Sequence, residues 1–495
     1  MERKQREGVL VKPHNRLTQD QIDLVDEVSR ELLEEPGLLC YNDEAAALYS
    51  DAGANVEQAE SEGCKRVSLP STVIDKALES APSKVTLGAR NPDNRLILDA
   101  HEPRSRFGSG SETNVWLDVD FENGHPKFTR KNGSIDRLCK AAHLCDNLEN
   151  LDFFIRCVNI QDEEVNSDNK DVNKYLASLN NITKHVQAGL TNLDHLDDVM
   201  KLGQIIAGGK DEFQENPVLS FITCVIKSPL QVVEDTADKL IAIARRGAPV
   251  VISSSPMGGA TAPFDEFGMV AQINAEILAG VTLNQLASPG APVLYGSVPV
   301  RTRLDTLDDM YGAPEFNLYN LDCTQMARHY GLPCYSTAGV ADSSVPGIQA
   351  TAEKMLTYVG VPPGGAQYIH YAFGLLERTN VFCPVQAVMD DAHIGMVKHM
   401  LHETNVHEGE RDRVLNLIRD VMDTPHKTYM YHLPLPTQED VYVSYPLESD
   451  EGDALHAANE KYHEILSMDR NQLPDDIQEQ IKSEVPGVLP RTLQA

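Results

Sequence analysis

The sequence is poor in basic residues and has no long apolar run. Of its 495 residues, 74 are acidic and 43 are basic, which gives a formal net charge of −31. Such a surface repels phosphate backbones and anionic lipids, so we expect neither a nucleic acid nor a membrane partner. The apolar runs are far shorter than the about 18 residues that a membrane-spanning helix needs. The polar start over residues 1–8 predicts no secretory signal, and we expect a cytoplasmic protein.

Several motifs of common enzyme classes are also missing. The nine cysteines include no CxxC pair, and their odd number argues against a disulfide framework. The sequence contains no GxGxxG fingerprint of dinucleotide-binding folds and no GxSxG elbow of serine hydrolases. Cys139, His143 and Cys145 lie on a predicted helix without sharing one face, so we predict no metal site.

A regular alternation of elements begins near residue 150. Apolar, β-branched runs recur there, and amphipathic helical segments fill the gaps, a pattern typical of parallel βα units. The runs cover residues 151–160, 183–190, 217–226, 248–256, 291–298, 332–339 and 366–374. With an eighth strand from before residue 150 or after residue 378, they predict an α/β fold of the (β/α)8 TIM-barrel type. An open doubly wound sheet is the alternative.

Three parts follow from this pattern. Residues 1–105 form an N-terminal helical preface, with Thr18 as the N-cap of its first helix. Residues 106–400 form the barrel, which includes a β-hairpin whose turn is Asn123-Gly124. Residues 401–495 form a C-terminal helical extension packed on the barrel, with a proline-containing loop over residues 423–446.

Function in such a barrel resides where strands end and βα loops begin. Small residues follow the predicted strand at 248–256, in the run SSSPMGGATAP. One interpretation is a tight turn, and the other is a surface on which a flat partner docks. Met257, Gly258 and Gly259 are the docking candidates.

The sequence resembles the trimethylamine methyltransferase superfamily, whose members are corrinoid-dependent methyltransferases on a (β/α)8 barrel. The resemblance rests on PMGGATAPFDEFGMVAQINAEILAGVTLNQLASPGAPVLYG at 256–296 and on HYGLPCYSTAGVADSSVPGIQATAEKM at 329–355. The founding members carry pyrrolysine before a Thr-Asp pair. Aligned on Asp342, that place holds Val340 here. The resemblance therefore implies the branch without pyrrolysine, and we do not expect activity on trimethylamine.

The chemistry of methyl transfer narrows the substrate. Displacement at the methyl carbon needs a leaving group that departs as a neutral amine, and a quaternary ammonium meets this need without further activation. We therefore expect transfer of a methyl group from a quaternary amine to cob(I)alamin, with glycine betaine, which would give dimethylglycine, as the first choice. The chain has no DxHxxG motif of a corrinoid-binding module. The resemblance implies that a separate corrinoid protein supplies the cobalamin.

A pocket for such a substrate needs aromatic faces for the cation and donors for a carboxylate. We expect Glu377 to act as the catalytic residue near the substrate cation. The predicted substrate-binding residues are Trp116, Gln161, Tyr295, Val340, His370, Tyr371, Phe373 and Arg378. Ordinary core packing or surface pairing is the alternative role for each.

Two other functions stay open on the sequence alone. One is a non-catalytic betaine-binding or sensor protein on the same barrel, which would bind without demethylating. The other is a metal-assisted lyase acting on a small acid, against which the missing ligand cluster argues. We also expect a homo-oligomer, as is common for cytoplasmic proteins.

Overall fold

A curled sheet of nine strands forms the centre of the molecule in the computed structural model, which describes residues 6–60, 63–401, 406–423, 442, 444–448 and 453–494. Eight of the strands run parallel, and the ninth, Val9–Leu10, pairs antiparallel with the first of them. The parallel strands are β1 (Arg104–Phe107), β2 (Phe153–Ile155), β3 (His185–Gly189), β4 (Leu219–Thr223), β5 (Val250–Ser254), β6 (Val293–Ser297), β7 (Cys334–Thr337) and β8 (Tyr368–His370).

The sheet order brings its first and last parallel strands together. β2 to β8 pair in chain order, and β8 also pairs with β1. An isolated parallel bridge joins Gly108, directly after β1, to Phe153 of β2. The Asp152 N–H donates to the Phe107 carbonyl at 2.7 Å. The sheet therefore curls far enough for the two end strands to touch.

Helices follow every parallel strand and cover the outside of the sheet, as the alternation predicts. They are Ile135–Asn147, Lys170–Leu179, Leu196–Ala207, Lys210–Glu215, Glu234–Arg245, Glu266–Ala287, Pro314–His329, Ile348–Gly360 and Pro384–Met400. Seven of the eight strands lie inside the predicted apolar runs, and β1 is the eighth, from before residue 150. The mixed α/β class is thus confirmed.

The helical preface packs on the longest of these helices. Its own helices are Gln19–Glu34, Asp43–Ala52 and Ser71–Ser80, and all three contact Glu266–Ala287. Thr18 caps the first one, as predicted, in a capping box with Gln21. Because Glu266–Ala287 lies between the sheet and the preface, its side chains are buried from Met269 to Gln285.

A small hairpin of the preface fills the amino-terminal opening of the sheet. It pairs Lys84–Leu87 with Leu96–Asp99. Its apolar side chains join one buried cluster with Phe153 of β2 and Tyr368 of β8. The Gly88 N–H donates to the Pro217 carbonyl, next to the start of β4, at 2.9 Å. This end of the sheet is therefore closed by apolar packing, and the opposite end is left for function.

The loops at the carboxyl ends of the strands carry structure of their own. The predicted hairpin is present, with Val115–Glu122 paired to His125–Asn132 around Asn123 and Gly124, both at positive φ. It pairs in parallel with Val381–Phe382, which follows β8. The remaining short strands are Leu38–Cys40, Asn55–Gln58, Lys65–Ser68, Ile226–Lys227, Gln231–Val232, Met257–Gly258, Val300–Thr302, Asp309–Met310 and Leu375–Leu376.

The C-terminal extension is helical where it is described. Its helices are Arg411–Asp423, Ala454–Leu466, Asp475–Glu484 and Pro490–Gln494. The second of them contacts Pro384–Met400, and the last contacts Lys170–Leu179. The loop predicted over residues 423–446 lies largely outside the described residues, and the three-part division stays a prediction. No described helix combines the length and the apolar character that a membrane span requires.

Gly108 provides a test of the contact between β1 and β2. A Cβ at this position would overlap the ring of the fully buried Phe153, whereas a Cβ at Gly189 of β3 would lie 3.6 Å from its nearest neighbour, the Ile222 carbonyl oxygen. We expect Gly108→Ala to lower the free energy of unfolding by about 1–3 kcal/mol through overpacking, and Gly189→Ala to change it by much less. Denaturant unfolding measures both. Equal stability of the two variants would show that β1 and β2 do not meet as described.

Candidate functional site

The carboxyl-terminal end of the sheet opens to solvent. Cys224, directly after β4, is exposed, although the other described cysteines are buried. Its thiol lies within hydrogen-bonding reach of Ser253 and close enough to Tyr335 and Tyr371 to affect their ionisation. These residues come from β4, β5, β7 and β8, whose carboxyl ends meet here. The carboxyl ends of these strands therefore bring the Cys224 thiol and several tyrosine side chains together at this end of the sheet.

Four aromatic rings pack together at this end of the sheet, and we call them the aromatic cluster: Tyr311, Tyr335, His370 and Tyr371. The Tyr335 and His370 rings stack with centroids 4.1 Å apart, and the His370 and Tyr371 centroids are 3.6 Å apart. The Tyr311 ring meets Tyr371 edge to face at 6.2 Å. Aromatic faces carry negative partial charge and attract cations. The cluster is thus suited to an organic cation.

His370 takes part in the cluster as a neutral ring. Its Nε2 lies 2.7 Å from Thr337 Oγ1, and that hydroxyl donates its single proton to the Ser297 carbonyl oxygen at 3.3 Å. The hydrogen-bond network therefore assigns the ring proton to Nε2. Nδ1 is left with a lone pair and has no hydrogen-bond partner among the described residues. Burial lowers the pKa of His370 well below its usual value, so the ring does not attract a carboxylate.

The loop after β8 holds several residues in an unusual backbone conformation. Tyr371, Glu377, Arg378 and Thr379 have φ of 68°, 49°, 58° and 80°, in the left-handed region that disfavours residues with a side chain. Each such residue costs about 1–3 kcal/mol and persists only where neighbouring contacts fix it. The backbone of this loop must therefore be held from outside.

A buried ion pair fixes the start of this loop at Gly374, and farther along the Glu377 N–H donates to the Ser343 carbonyl oxygen at 2.8 Å. Lys354 and Asp390 are both fully buried, and their Nζ–Oδ2 distance is 3.0 Å. Lys354 also donates to the Gly339 carbonyl in the loop after β7. Asp390 accepts the Gly374 N–H at 2.7 Å in the loop after β8. Lys354 and Asp390, on two neighbouring helices, thus hold both loops in place. The Tyr358 hydroxyl also donates a hydrogen bond to the Ala372 carbonyl oxygen.

Charged side chains lie on the loops next to the aromatic cluster, a region that we call the opening. The Arg378 guanidinium pairs with Asp308 at 3.2 Å, and Arg130 of the hairpin binds Glu377 at 2.5 and 3.0 Å. Hydrogen bonding to Arg130 lowers the pKa of the Glu377 carboxyl. Half-buried Asp309 behaves differently, because burial raises its pKa and the nearby Arg378 offsets this only in part.

The structure brings four of the predicted site residues together on or next to the loop after β8. His370 and Tyr371 belong to the aromatic cluster, and Glu377 and Arg378 lie at the opening. Val340, in the loop after β7 that Lys354 contacts, is fully buried in the main hydrophobic core.

The other predicted residues lie elsewhere. The Tyr295 hydroxyl donates to Asn274 Oδ1 at 2.9 Å, in the helix layer outside the sheet. Phe373 is fully buried in the core. Trp116 packs on Phe382 with centroids 5.6 Å apart and donates to Asp118. Exposed Gln161 donates to the Asn114 carbonyl at 2.7 Å, near the hairpin.

The docking candidates form a tight turn at the same end of the sheet. The N–H groups of Ala260, Thr261 and Ala262 all converge on the Met257 carbonyl oxygen, within 2.9–3.1 Å. Gly258 is buried, whereas Gly259 is exposed with φ 93°. The tight-turn and docking-surface interpretations are therefore both compatible with the structure, since the turn is tight and its tip faces solvent.

Sequence reasoning missed three residues of the site. Tyr335 lies inside β7 and reads as an ordinary core residue of a buried strand. Asp309 and Tyr311 belong to the long loop after β6, beyond the strand end at Ser297. Two features of the sequence could have pointed to Asp309 and Tyr311. Their loop lies at the carboxyl end of the sheet, and an aromatic residue follows an acidic one by two places. Among the described residues, no group of three or more His, Cys, Asp or Glu side chains could hold a metal ion.

Comparison with known proteins identifies the family. The model of the trimethylamine methyltransferase (MTTB) family matches residues 5–432, and the chain belongs to this family. It is 32% identical to the trimethylamine methyltransferase MttB of Desulfitobacterium hafniense over 369 residues, 74% of this chain and 71% of that protein.

Two further relatives differ in their named substrates. A glycine betaine methyltransferase of Desulfitobacterium hafniense is 29% identical, covering 80% of this chain and 79% of its own length. The trimethylamine methyltransferase MttB of Methanosarcina barkeri is also 29% identical, over 80% of this chain and 77% of its own. The family is thus a methyltransferase family with more than one amine substrate.

The buried ion pair can be tested by removing one partner. Lys354→Met leaves the Asp390 carboxylate uncompensated in the core, and we expect a loss of about 3–5 kcal/mol in the free energy of unfolding. Lys482→Met is the control, because Lys482 and its partner Glu479 are 43% and 71% exposed. That change is expected to cost at most about 0.5 kcal/mol in denaturant unfolding. A Lys354→Met protein as stable as the control would contradict the role of the pair.

Proposed function

We propose that this protein transfers a methyl group from a quaternary amine to the cob(I)alamin of a separate corrinoid protein. Glycine betaine, which would give dimethylglycine, is the first choice of substrate. Membership of the family supports the reaction class, and the 29% identity to a glycine betaine methyltransferase is compatible with this substrate. We further propose that β1 to β8 form a closed (β/α)8 barrel, for which the contact between β1 and β2 is the support.

The aromatic cluster is the observation that carries the proposal. A quaternary ammonium has no N–H group, so a protein recognises it through aromatic faces and negative charge rather than through hydrogen bonds. Tyr311, Tyr335 and Tyr371 offer such faces at the carboxyl end of the sheet, and we propose that the substrate cavity lies against them. A non-catalytic binding protein would need the same cluster, so binding and methyl transfer must be measured separately.

The chain's own residues would bind and orient the substrate. The C–N bond breaks with its electron pair going to nitrogen, so the substrate leaves as a neutral tertiary amine and needs no protein acid. The cob(I)alamin of the partner supplies the nucleophile. The cluster would hold the ammonium with one methyl group toward the opening, which favours a productive orientation.

The two predicted charged residues take supporting roles in this proposal. Because Arg130 already binds Glu377, this carboxylate would position the loop after β8 rather than meet the substrate cation directly. Arg378 remains the candidate donor for a substrate carboxylate, since its Nε has no hydrogen-bond partner among the described residues.

An exposed apolar surface at the opening fits a docking partner. Phe264, Leu304, Leu307 and Ile348, which follow β5, β6 and β7, are 43%, 61%, 62% and 93% exposed. A Cβ on Gly259 would lie 3.0–3.1 Å from Leu304 and Phe264, so the predicted docking turn adjoins this surface. Contiguous exposed apolar residues mark interaction sites. We propose that the corrinoid protein docks here; a homo-oligomer stays a prediction.

The reaction is tested anaerobically with purified protein and reduced cob(I)alamin. Glycine betaine, carnitine, proline betaine, choline and trimethylamine are supplied one at a time. We expect loss of the cob(I)alamin absorbance and formation of the demethylated amine with a quaternary amine and not with trimethylamine. Binding of a betaine without any transfer would favour the non-catalytic protein.

The cluster is tested with Tyr371. Tyr371→Leu removes a ring worth about 2 kcal/mol to a desolvated cation, and we expect KM to rise about thirtyfold. Tyr371→Phe keeps the ring and should bind substrate nearly as the wild type does. Tyr295→Phe is a second control, because the Tyr295 hydroxyl bonds to Asn274 in the helix layer rather than to the cluster. If Tyr371→Leu retained the wild-type KM, the cluster would not be the cation site.

The docking surface is tested with Leu304→Glu. A charge at the centre of this surface should raise the KM for a corrinoid protein about tenfold or more, through desolvation of the carboxylate. The rate with free cob(I)alamin should be unchanged, because the cavity is not altered. A variant that uses the corrinoid protein as efficiently as the wild type would place the docking site elsewhere.

A further inference from the structure

The charges at the cavity opening do not balance. Asp308, Asp309 and Arg378 lie within reach of one another, but the single guanidinium pairs with Asp308. Among the described residues, no side chain donates a hydrogen bond to the Asp309 carboxylate. The half-buried Asp309 carboxylate is therefore left without a hydrogen-bond partner among the described residues.

Asp309 borders the aromatic cluster. It pairs with Thr302 in a short antiparallel ladder, which fixes its place on the loop after β6. It precedes Tyr311 by two residues, and its charge contributes to the raised pKa of both Tyr311 and Tyr371. The carboxylate thus acts on two rings of the cluster that come from different loops.

The other polar group in the cluster is an acceptor as well. His370 is 1% exposed, and its Nδ1 lone pair has no partner among the described residues. A tyrosine face, a neutral imidazole lone pair and a free carboxylate all favour positive charge, and none favours an anion. Together these groups raise the electrostatic free energy of the empty protein, and a bound cation lowers it again.

We propose that Asp309 is the counter-ion that binds the ammonium group of the substrate. This inference rests on the proposed function and extends it, because it places recognition in the ammonium end of the substrate rather than in its carboxylate. A quaternary cation without any carboxylate should therefore bind to the same site. Tetramethylammonium is the smallest such cation and serves as the probe.

The experiment is calorimetric titration of the full-length protein with tetramethylammonium chloride at low ionic strength. We expect the wild type to bind it and Asp309→Asn to bind it about tenfold or more weakly. Asp305→Asn is the matched control, because Asp305 is an exposed acid on the same loop that pairs with Arg303, so the change in net charge is the same. This control should bind within about twofold of the wild type.

Circular dichroism and thermal melting show whether Asp309→Asn is folded. Equal binding by folded Asp309→Asn and the wild type would overturn the inference, and so would a wild type that does not bind tetramethylammonium. Failure of the proposed function is distinguishable, since it appears as binding of quaternary amines without methyl transfer by the wild type. In that case Asp309 would still be the counter-ion of a binding site.

A pH series gives a second readout. The pKa of Asp309 is raised, so its carboxylate is protonated at a higher pH than an ordinary aspartate, and the wild-type affinity should weaken as this happens. Arg378, Asp308, Tyr311 and Tyr371 face this group. Asp342, which accepts the Tyr311 N–H, also has a raised pKa. Asp309→Asn keeps all of these groups, so a pH dependence that persists in it would overturn the assignment.

Discussion

The buried ion pair between Lys354 and Asp390 is the interaction on which the geometry of the site depends. It joins two outer helices and fixes backbone atoms of the loops after β7 and β8. Those loops carry Val340 and the left-handed Tyr371. Burying two charges costs several kcal/mol, and an apolar pair of similar volume would stabilise a core equally well. The pair is therefore better explained by the conformation that it imposes on the loops than by its contribution to stability.

The negative character of the site is local rather than a consequence of the acidic composition. A net charge of −31 spread over the surface is screened within about 8–10 Å at physiological ionic strength. The Asp309 carboxylate is half-buried next to aromatic rings, where screening by water is weaker. Two other acidic side chains at the opening form ion pairs, Glu377 with Arg130 and Asp308 with Arg378. A carboxylate without a hydrogen-bond partner beside the aromatic cluster is what distinguishes the proposed cation site from an ordinary acidic surface.

The periodic features could be predicted from the sequence, and the loop geometry could not. Apolar runs with β-branched residues indicated seven strands, and Asn123-Gly124 indicated the hairpin, because both signals are local. β1 was not located because four residues, two of them arginine, do not form an apolar run. His370 and Tyr371 were found because they lie in the apolar run at 366–374, where a strand was expected to end at the site. Tyr311 and Asp309 reach the cavity through the path of a long loop, which depends on tertiary contacts such as the Asp342 bonds to the Tyr311 and Gly312 N–H groups.

In the proposed function, a quaternary ammonium lies against the rings of the aromatic cluster. Nuclear magnetic resonance of glycine betaine labelled with carbon-13 in its N-methyl groups tests it directly, because aromatic rings shift the resonances of groups above their faces upfield. With the wild type we expect an upfield-shifted bound methyl resonance, which disappears with Tyr371→Leu. A bound resonance at the position of the free ligand would contradict it.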